Sequence, residues 1–360
     1  MIAECDDYAN SIQVPQLIKA SILQGGEPEM NGIRPVMYTG GFCVVFPYST
    51  SSKKYAVRCW HAYLEGTQER AKEISKYLNE VQLPYFVDFQ YVEEGIATPK
   101  GVMPLVVMDW VEAQKLKEYI QDNINKPVVL DELAKKFIKL VTDLHHNNIT
   151  HGDLQHENIM VKPNGDLVLV DYDSVYVPNL GGFVNEIEGK DGYQHPAKKY
   201  YKKLTPKADY FSELVIYTSI IALSKFPELW DKLKMQATET MLFSKEDIYS
   251  KGYSWIFEFL SQDPYLKQLV TAIRNELSLS SIDDLSPLEE VEPNMQKGKF
   301  LKELSEQWGD NGYKPQPSQT DTTKEIEGLR QMWNSNDSAI VVNASQHNQE
   351  EISKTREEWN

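Results

Sequence analysis

The stretch Thr150 to Val177, THGDLQHENIMVKPNGDLVLVDYDSVYV, decides the fold of this 360-residue chain. It begins with a His-x-Asp-x-x-x-x-Asn loop and continues into two short strands, IMV and LVLV, joined by a Pro-Asn-Gly turn at 163–165. A further acidic residue, Asp171, ends the LVLV strand. Asp and Asn alone often serve turns and helix caps. Asp153, Asn158 and Asp171 together, on a loop, a hairpin and a strand end, favour a reaction centre.

On the N-terminal side of this stretch the sequence predicts a small lobe built mainly of β-strands. One helical segment, Thr67 to Glu80, interrupts it. The predicted strands are rich in β-branched and aromatic residues and are separated by Gly, Ser, Lys or Pro; they are the runs VMYTGGFCVVF, KKYAVRCW, YFVDFQYV and MPLVVMDW.

After Trp110 the apolar residues recur every three or four positions, which predicts an amphipathic helix over Leu130–His146. Further helical segments are predicted over Asp209–Ser224 and Tyr249–Leu277. The apolar density of LVIYTSIIAL indicates that the first of these is buried on most sides. A β-rich lobe is therefore followed by a helical lobe that contains an inserted hairpin.

The loop, the hairpin and the Asp after it resemble the protein kinase-like superfamily, in particular bacterial eukaryotic-like Ser/Thr kinases, over about Pro35 to Ile282. The resemblance implies an α+β, bilobal kinase-like fold with a mostly β N-lobe and a larger, mostly α C-lobe. The expected boundaries are an N-terminal extension over 1–29, an N-lobe over 30–110 with a hinge at 108–112, a C-lobe over 113–285, and an acidic, largely flexible tail over 286–360.

The resemblance also implies a reaction, the transfer of the γ-phosphate of ATP to a hydroxyl group. Such a transfer needs charge neutralisation, in-line positioning and a carboxylate near the attacking hydroxyl. Asp153 is expected to be the base, and Asn158 and Asp171 are expected to hold Mg²⁺, or Mn²⁺ in its place, with oxygen ligands. Arg58 is expected at the place of the phosphate-binding Lys, and Glu73, with Glu69 as the alternative, is expected to be the helix Glu that positions it.

The nucleotide-binding residues implied in the same way come mostly from the N-lobe. YTGGFCVV matches a Gly-rich hairpin, although Tyr38 and Cys43 stand where other glycines are expected. VVMDWV matches the hinge, whose backbone would bind adenine. The expected set is Gly40, Gly41, Val45, Ala56, Arg58, Met108, Asp109, Val111 and Met160.

Three further positions, Arg58, Tyr172 and Asp173, depart from the family pattern. Arg58 replaces the phosphate-binding Lys of KKYAVRCW, and Arg is longer, planar and forked. Lys54 lies on the same face of this strand and is a candidate substitute, while Glu73 is expected to pair with Arg58. Tyr172-Asp173 replaces the usual Phe-Gly, so that a second carboxylate either faces the metal or serves a turn.

Two further features concern regulation. Gly152 replaces the Arg that usually precedes the catalytic Asp, and the segment between Val175 and Pro196 contains no Ser or Thr. An Arg at that place usually receives an activation-segment phosphate. We therefore expect an enzyme that does not depend on Ser/Thr phosphorylation of this segment. Asp209 is expected to hold the backbone of the catalytic loop.

Composition and charge disfavour several classes of binding partner and of cellular location. The net charge of −16 disfavours a general nucleic-acid or anionic-membrane binder, and half of that charge lies in residues 283–360. The N-terminus has no secretory signal pattern, and the longest apolar run, Leu214 to Leu223, is too short for a membrane span. Three irregularly spaced cysteines favour neither a disulfide framework nor a zinc site, so a cytoplasmic protein is expected.

Three functions remain open from the sequence. The first is a Ser/Thr protein kinase acting on a protein substrate, although Gln155 stands where such kinases usually have a Lys. The second is a small-molecule kinase of the aminoglycoside or choline type, because the His-Gly-Asp-Leu loop and the Asp-x-Asp sequence also occur there. The third is a nucleotide-binding pseudokinase, which the replacement of the Lys by Arg58 would suit.

Overall fold

The computed structural model describes residues 2–62, 66–185 and 187–294. Most of the predicted acidic tail therefore lies outside the described residues. The strands are β1 Glu27–Pro28, β2 Met30–Asn31, β3 Arg34–Pro35, β4 Tyr38–Thr39, β5 Cys43–Ser49, β6 Lys54–Trp60, β7 Phe89–Thr98, β8 Gly101–Asp109, β9 Gln114–Lys115, β10 Ile159–Val161 and β11 Leu167–Leu169. The α-helices are α1 Cys5–Ser11, α2 Thr67–Val81, α3 Leu116–Asp122, α4 Pro127–His146, α5 Tyr210–Lys225, α6 Leu229–Lys232, α7 Lys245–Tyr249, α8 Trp255–Leu260, α9 Pro264–Leu277 and α10 Leu288–Val291.

The first lobe is an antiparallel sheet in the order β1-β5-β6-β8-β7, with β4 paired to β5 and α2 packed against β7. Side chains alternate between the two faces of β6. Val57 and Cys59 are buried with the N-terminal residues on one face, while Ala56 and Arg58 turn to the other. This alternation puts an apolar support behind the sheet and the candidate site in front of it.

Residues 2–26 cover the back of this sheet. Tyr8 on α1 is 2% exposed and its hydroxyl donates to the carbonyl of Trp60 at 2.9 Å. Ile12, Ile18 and Leu23 are buried in the same apolar cluster as the back face of β6. The N-terminal extension expected from the sequence is therefore packed on the first lobe.

The second lobe is helical and holds the hairpin β10–β11, to which β9 adds a third strand. Pro127 at the first turn suits the start of α4, and the apolar face of this helix packs on α5. Every residue of α5 from Phe211 to Ser224 is buried, as LVIYTSIIAL predicts. The segment 249–277 forms two helices, since Asp263 caps α9 at a break after α8.

The expected C-lobe boundary at 285 is moved by α10. Leu288 is fully buried, and Glu289 contacts His145 on α4 at 2.8 Å. Residues up to at least Val291 therefore belong to the second lobe. The bilobal α+β arrangement is otherwise as expected. In the described part of the chain, no helix combines the length and apolar character needed to cross a membrane.

Candidate active site

A cavity of about 500 Å³ lies between the two lobes. The first lobe contributes the turn after β4 and the front face of β5 and β6, and the second lobe contributes β9, β10 and the end of β11. Of the nucleotide-binding residues expected from the sequence, the cavity is lined by Gly40, Val45, Ala56, Arg58, Met108, Asp109, Val111 and Met160. Gly41 lies in the same turn but does not line the cavity.

The hinge end of the cavity has a fixed backbone. The amide N–H of Asp109 donates to the carbonyl of Asp88 at 3.2 Å, and that of Trp110 donates to the carbonyl of Lys54 at 3.1 Å. The Asp109 carboxylate pairs with Lys53 at 2.6 Å. These contacts hold the hinge against β6 and leave Val111 at the cavity wall.

The catalytic loop is organised around Asp153 and Asn158. The Asn158 amide nitrogen donates to the Asp153 carbonyl at 2.8 Å and to its carboxylate Oδ2 at 3.2 Å. Because these bonds engage the nitrogen of Asn158, its Oδ1 is the atom suited to a metal. The carboxylate of Asp171 lies at the cavity wall and is half exposed. The two oxygen donors fit a hard cation completed by phosphate and water oxygens.

The loop is tied to the second lobe through Gly152. Its N–H donates to both carboxylate oxygens of Asp209, at 3.1 and 3.0 Å, which is the role expected of Asp209. Gly152 has φ of +82°, and an added Cβ would lie 2.2 Å from the carbonyl oxygen of Ser174. A residue with a side chain, such as the family's Arg, does not fit this backbone.

Arg58 is a buried cation at the wall of the cavity, which Lys115 also lines. Arg58 is 4% exposed; its Nε donates to Cys43 Sγ at 3.0 Å, and its Nη2 donates to Asp171 at 3.2 Å and to Asp173. Burial by itself lowers the pKa of Arg58, and the carboxylates of Asp173 and Asp171 more than offset this and raise it. Cys43, which replaces a glycine, thus supports the guanidinium.

Two predictions that concern Arg58 differ from the structure, one about its partner and one about a substitute for it. Glu73 does not pair with Arg58; its carboxylate accepts a hydrogen bond from Asn179 at 2.8 Å. Lys54 pairs with Glu29 at 2.9 Å and its ammonium lies 4.3 Å from the Trp110 ring centroid, so it does not substitute for Arg58.

Periodicity explains the first of these differences. Arg70, Ala71, Ile74 and Leu78 form the buried face of α2, and Glu73 lies off this face. The apolar spacing in the sequence therefore contained the signal that Arg70, not Glu73, faces the sheet. The proximity of Asp173 to Arg58 had no such local signal.

The segment before Pro196 covers the carboxylate of Asp153, the base expected from the sequence. The backbone N–H of Lys190 donates to Asp153 Oδ1 at 3.0 Å, and the Lys190 ammonium pairs with Glu157 at 2.7 Å. This ion pair lowers the pKa of Glu157 to about 2. The sequence did not indicate this contact, because Lys190 lies 37 positions from Asp153.

A buried lysine lies behind the same loop. Lys198 is 3% exposed, and its ammonium donates to the carbonyl of Gly152 and, at 2.6 Å, to Gln194 Oε1. Burial lowers the pKa of Lys198, which the nearby carboxylates of Asp209 and Asp153 oppose. Lys198 brings a cation to the catalytic loop, in which Gln155 occupies the place of the usual Lys.

Comparisons with known proteins agree with this arrangement. The family model described as "Protein kinase domain" matches residues 37–280. Similar curated proteins are the SNF1-like protein kinase ssp2 of Schizosaccharomyces pombe and the SNF1-related protein kinase catalytic subunit alpha KIN12 of Arabidopsis thaliana, each 23% identical over 246 residues. The matches cover 66% and 63% of this chain, and 41% and 48% of those proteins, respectively. The chain thus spans about half the length of these curated relatives.

Proposed function

Because the chain belongs to the protein kinase domain family, we propose that it is a Ser/Thr protein kinase that uses ATP and Mg²⁺. The observation that carries the proposal is the convergence on one interlobe cavity of Arg58 from β6 and Asp171 from the end of the hairpin, with Asp153 and Asn158 on the adjoining loop. Names of the curated relatives, both protein kinases, support the same reaction class.

The adenine of ATP would lie at the hinge end of the cavity. Val45 and Ala56 would cover one face and Met160 the other, and the backbone of Asp109 and Val111 would bind the edge of the base. Apolar walls with a few fixed polar groups are typical of cofactor sites. The polyphosphate would then extend toward Arg58.

Asn158 Oδ1 and the Asp171 carboxylate would hold the metal ion. When bound, such an ion neutralises charge on the phosphates. Arg58 would add a fixed positive charge that remains at every accessible pH, because guanidinium does not deprotonate in proteins. Its planar donors suit a phosphate oxygen as well as a carboxylate.

Asp153 would orient the acceptor hydroxyl and take its proton as the oxygen attacks the γ-phosphorus, while the bond from that phosphorus to the β,γ-bridging oxygen breaks and ADP leaves. The amide of Lys190 donates to one oxygen of this carboxylate, so the backbone at Lys190 lies beside the place where the acceptor hydroxyl would bind. Lys198, held on the carbonyl of Gly152, supports a protein-kinase type of loop by supplying the cation that Gln155 lacks.

Single-turnover transfer from ATP to a generic protein acceptor tests this function. Asp153→Asn keeps the shape of the side chain and removes the base, which should slow transfer by roughly 10²- to 10⁴-fold. Asp166→Asn, at an exposed carboxylate of the β10–β11 turn, is the matched control and should keep the wild-type rate. Equal rates for Asp153→Asn and wild type would contradict the catalytic role.

The second candidate function is a nucleotide-binding pseudokinase. It is favoured by the contact of Arg58 with Asp171 and by the cover of Lys190 over Asp153. Thermal stabilisation by ATP only in the presence of Mg²⁺, without transfer to any protein or small hydroxyl acceptor, would select it. Stabilisation together with transfer would select the kinase.

A further inference from the structure

Asp173 lies between two buried arginines from different elements. Arg58 on β6 donates from Nη2 to the Asp173 carboxylate, and Arg70 on α2 donates from Nη2 to the Asp173 backbone carbonyl. Both arginines are 4% exposed, and the Asp173 side chain is 15% exposed. Removing charges from water is costly, so this arrangement is stable only because opposite charges meet in it.

The three residues surround a common space. A small cavity of about 20 Å³ is lined by Arg58, Arg70 and Asp173, together with Ile74 and Tyr172. Position 70 on the helix therefore faces position 58 on the strand. The usual pattern of a strand lysine and a helix glutamate has its helix charge inverted here, and the carboxylate comes from the segment after Asp171.

The turn that carries Asp173 is itself fixed. Tyr172 is 1% exposed; its hydroxyl donates to the carbonyl of Leu169 at 2.9 Å and accepts from the N–H of Val87 at 3.1 Å. The backbone of Asp173 is thus held on both sides, by the preceding Tyr172 in the core and by Arg70 on α2, and the carboxylate extends from this fixed backbone to Arg58. A mobile carboxylate would not orient its partner.

We propose that Asp173 is the positioning residue of Arg58, replacing the helix carboxylate, and that Arg70 couples the place of α2 to this pair. The inference rests on the proposed function, because the purpose of the positioning is to present Arg58 to the phosphates of ATP. The Nη1 amine of Arg58 makes no hydrogen bond within the described part of the chain, and Arg58 lines the larger cavity. Nη1 is the donor that the phosphate takes.

The first experiment measures the energetic coupling between Arg58 and Asp173 in the absence of nucleotide. Arg58→Gln, Asp173→Asn and the double variant are unfolded by urea in the absence of ATP. If the two residues are coupled, the change in the unfolding equilibrium constant of the double variant differs by at least about tenfold from the product of the changes in the two single variants. Agreement within twofold between the double variant and that product would overturn the proposal.

The second experiment tests whether the KM for MgATP depends on the Arg58–Asp173 pair. Asp173→Asn is expected to raise the KM for MgATP by about tenfold or more while the KM for the protein acceptor stays within twofold. Glu80→Gln, an exposed carboxylate near the end of α2, is the matched control and keeps both constants. A larger effect of Glu73→Gln than of Asp173→Asn would overturn the proposal, because it would return the role to the helix carboxylate.

A rescue separates positioning from general damage. Arg58→Lys with Arg70→Glu places a lysine on the strand and a glutamate on the facing helix position. In that background Asp173→Asn should change the KM for MgATP by less than twofold, against tenfold in the wild-type background. An equal loss in both backgrounds would overturn the positioning role. The comparison remains informative even if Asp173→Asn folds poorly in the wild-type background. In the other background the introduced lysine and glutamate form an ion pair that does not need Asp173.

The two levels of the proposal fail differently. A wild-type protein that binds MgATP, with Asp173→Asn indistinguishable from it, contradicts only the role of Asp173. A wild-type protein with no thermal response to MgATP and no transfer contradicts the proposed function and, with it, the presentation of Arg58 to ATP. The urea experiment is read independently of both.

Discussion

The backbone amide of Gly152 donates to both carboxylate oxygens of Asp209, and the same glycine lies against the carbonyl of Ser174 with φ of +82°. Asp209 is 1% exposed and directly precedes α5. One buried carboxylate thus sets the backbone immediately before the proposed base. The position of Asp153 depends on this contact between the loop and the central helix.

Gly152→Ala is expected to destabilise the protein by about 2 kcal/mol or more. The added Cβ would lie 2.2 Å from the Ser174 carbonyl oxygen, in a backbone conformation that side chains disfavour. Chemical denaturation measures the free energy of unfolding. Gly41→Ala, with nothing within 4 Å of its added Cβ, is the control and should change it by less than about 0.5 kcal/mol. Equal stabilities of Gly152→Ala and wild type would contradict the geometry.

Tyr172→Phe restores the residue type that is usual at this position but should lower the free energy of unfolding by about 1–2 kcal/mol. The ring contacts to Phe86 and Phe89 would remain, while the N–H of Val87 would lose its partner. Tyr253→Phe, at a side chain that is 81% exposed, serves as control in the same denaturation series. A Tyr172→Phe protein as stable as wild type would mean that the buried hydroxyl bonds contribute nothing.

His145 lies between two carboxylates, and its contribution to stability should depend on pH. Its imidazole contacts Glu213 at 2.9 Å and Glu289 at 2.8 Å, with the ring of Tyr210 beside it. Burial alone lowers the pKa of His145, but the two glutamates more than offset this and raise it to about 10. Burial raises the pKa of Glu213 to about 6, so both partners are charged at pH 7.

Because the folded state holds this proton more tightly than the unfolded state, the stability from His145 is present near neutral pH and is lost as the pH rises toward 10. Below about pH 6 the protonation of Glu213 weakens the same pair. His145→Gln should therefore cost on the order of 3 kcal/mol at pH 7, and less at pH 10. Urea denaturation at both pH values measures the difference. His146→Gln, at the exposed neighbouring position, is the control for the substitution itself. A pH-independent loss for His145→Gln would contradict the ion pair.

Lys190→Ala should loosen the segment that covers Asp153. The Lys190–Glu157 pair is partly exposed and worth at most about 1 kcal/mol, so amide hydrogen exchange over 187–194 should quicken by up to about fivefold. Mass spectrometry of the corresponding peptides measures the rate. Lys136→Ala breaks a comparable exposed pair with Asp166 and should leave this segment unchanged. Unchanged exchange in Lys190→Ala would assign the cover of Asp153 to the backbone contact alone.

Local patterns in the sequence were sufficient for the elements that rest on near neighbours. The three- and four-residue spacing from Leu130 predicted α4, and the Pro-Asn-Gly turn at 163–165 predicted the β10–β11 hairpin. Alternation along KKYAVRCW placed Ala56 and Arg58 on one face of β6. In each case the interactions that select the element join residues a few positions apart.

The sequence was less informative about which residues contact one another across the fold. Glu73 matched the family pattern, yet the buried face of α2 presents Arg70. The end of the second lobe was placed at 285, whereas Leu288 and Glu289 pack on α4. Neither outcome follows from residue type, because both depend on which surface the packed helix meets.

Short spacings in the sequence were enough to identify the class of fold and to predict the candidate site, since the loop, the hairpin and the strand-end Asp allow few alternatives. Only the tertiary structure decided how Arg58 is held. Its partner Asp173 lies 115 positions away, and the choice of Asp173 over Glu73 follows from the way α2 rests on the sheet. The partners of a long-range ion pair are brought together only by the packing of the lobes, so their identity is a property of the packing rather than of any local pattern.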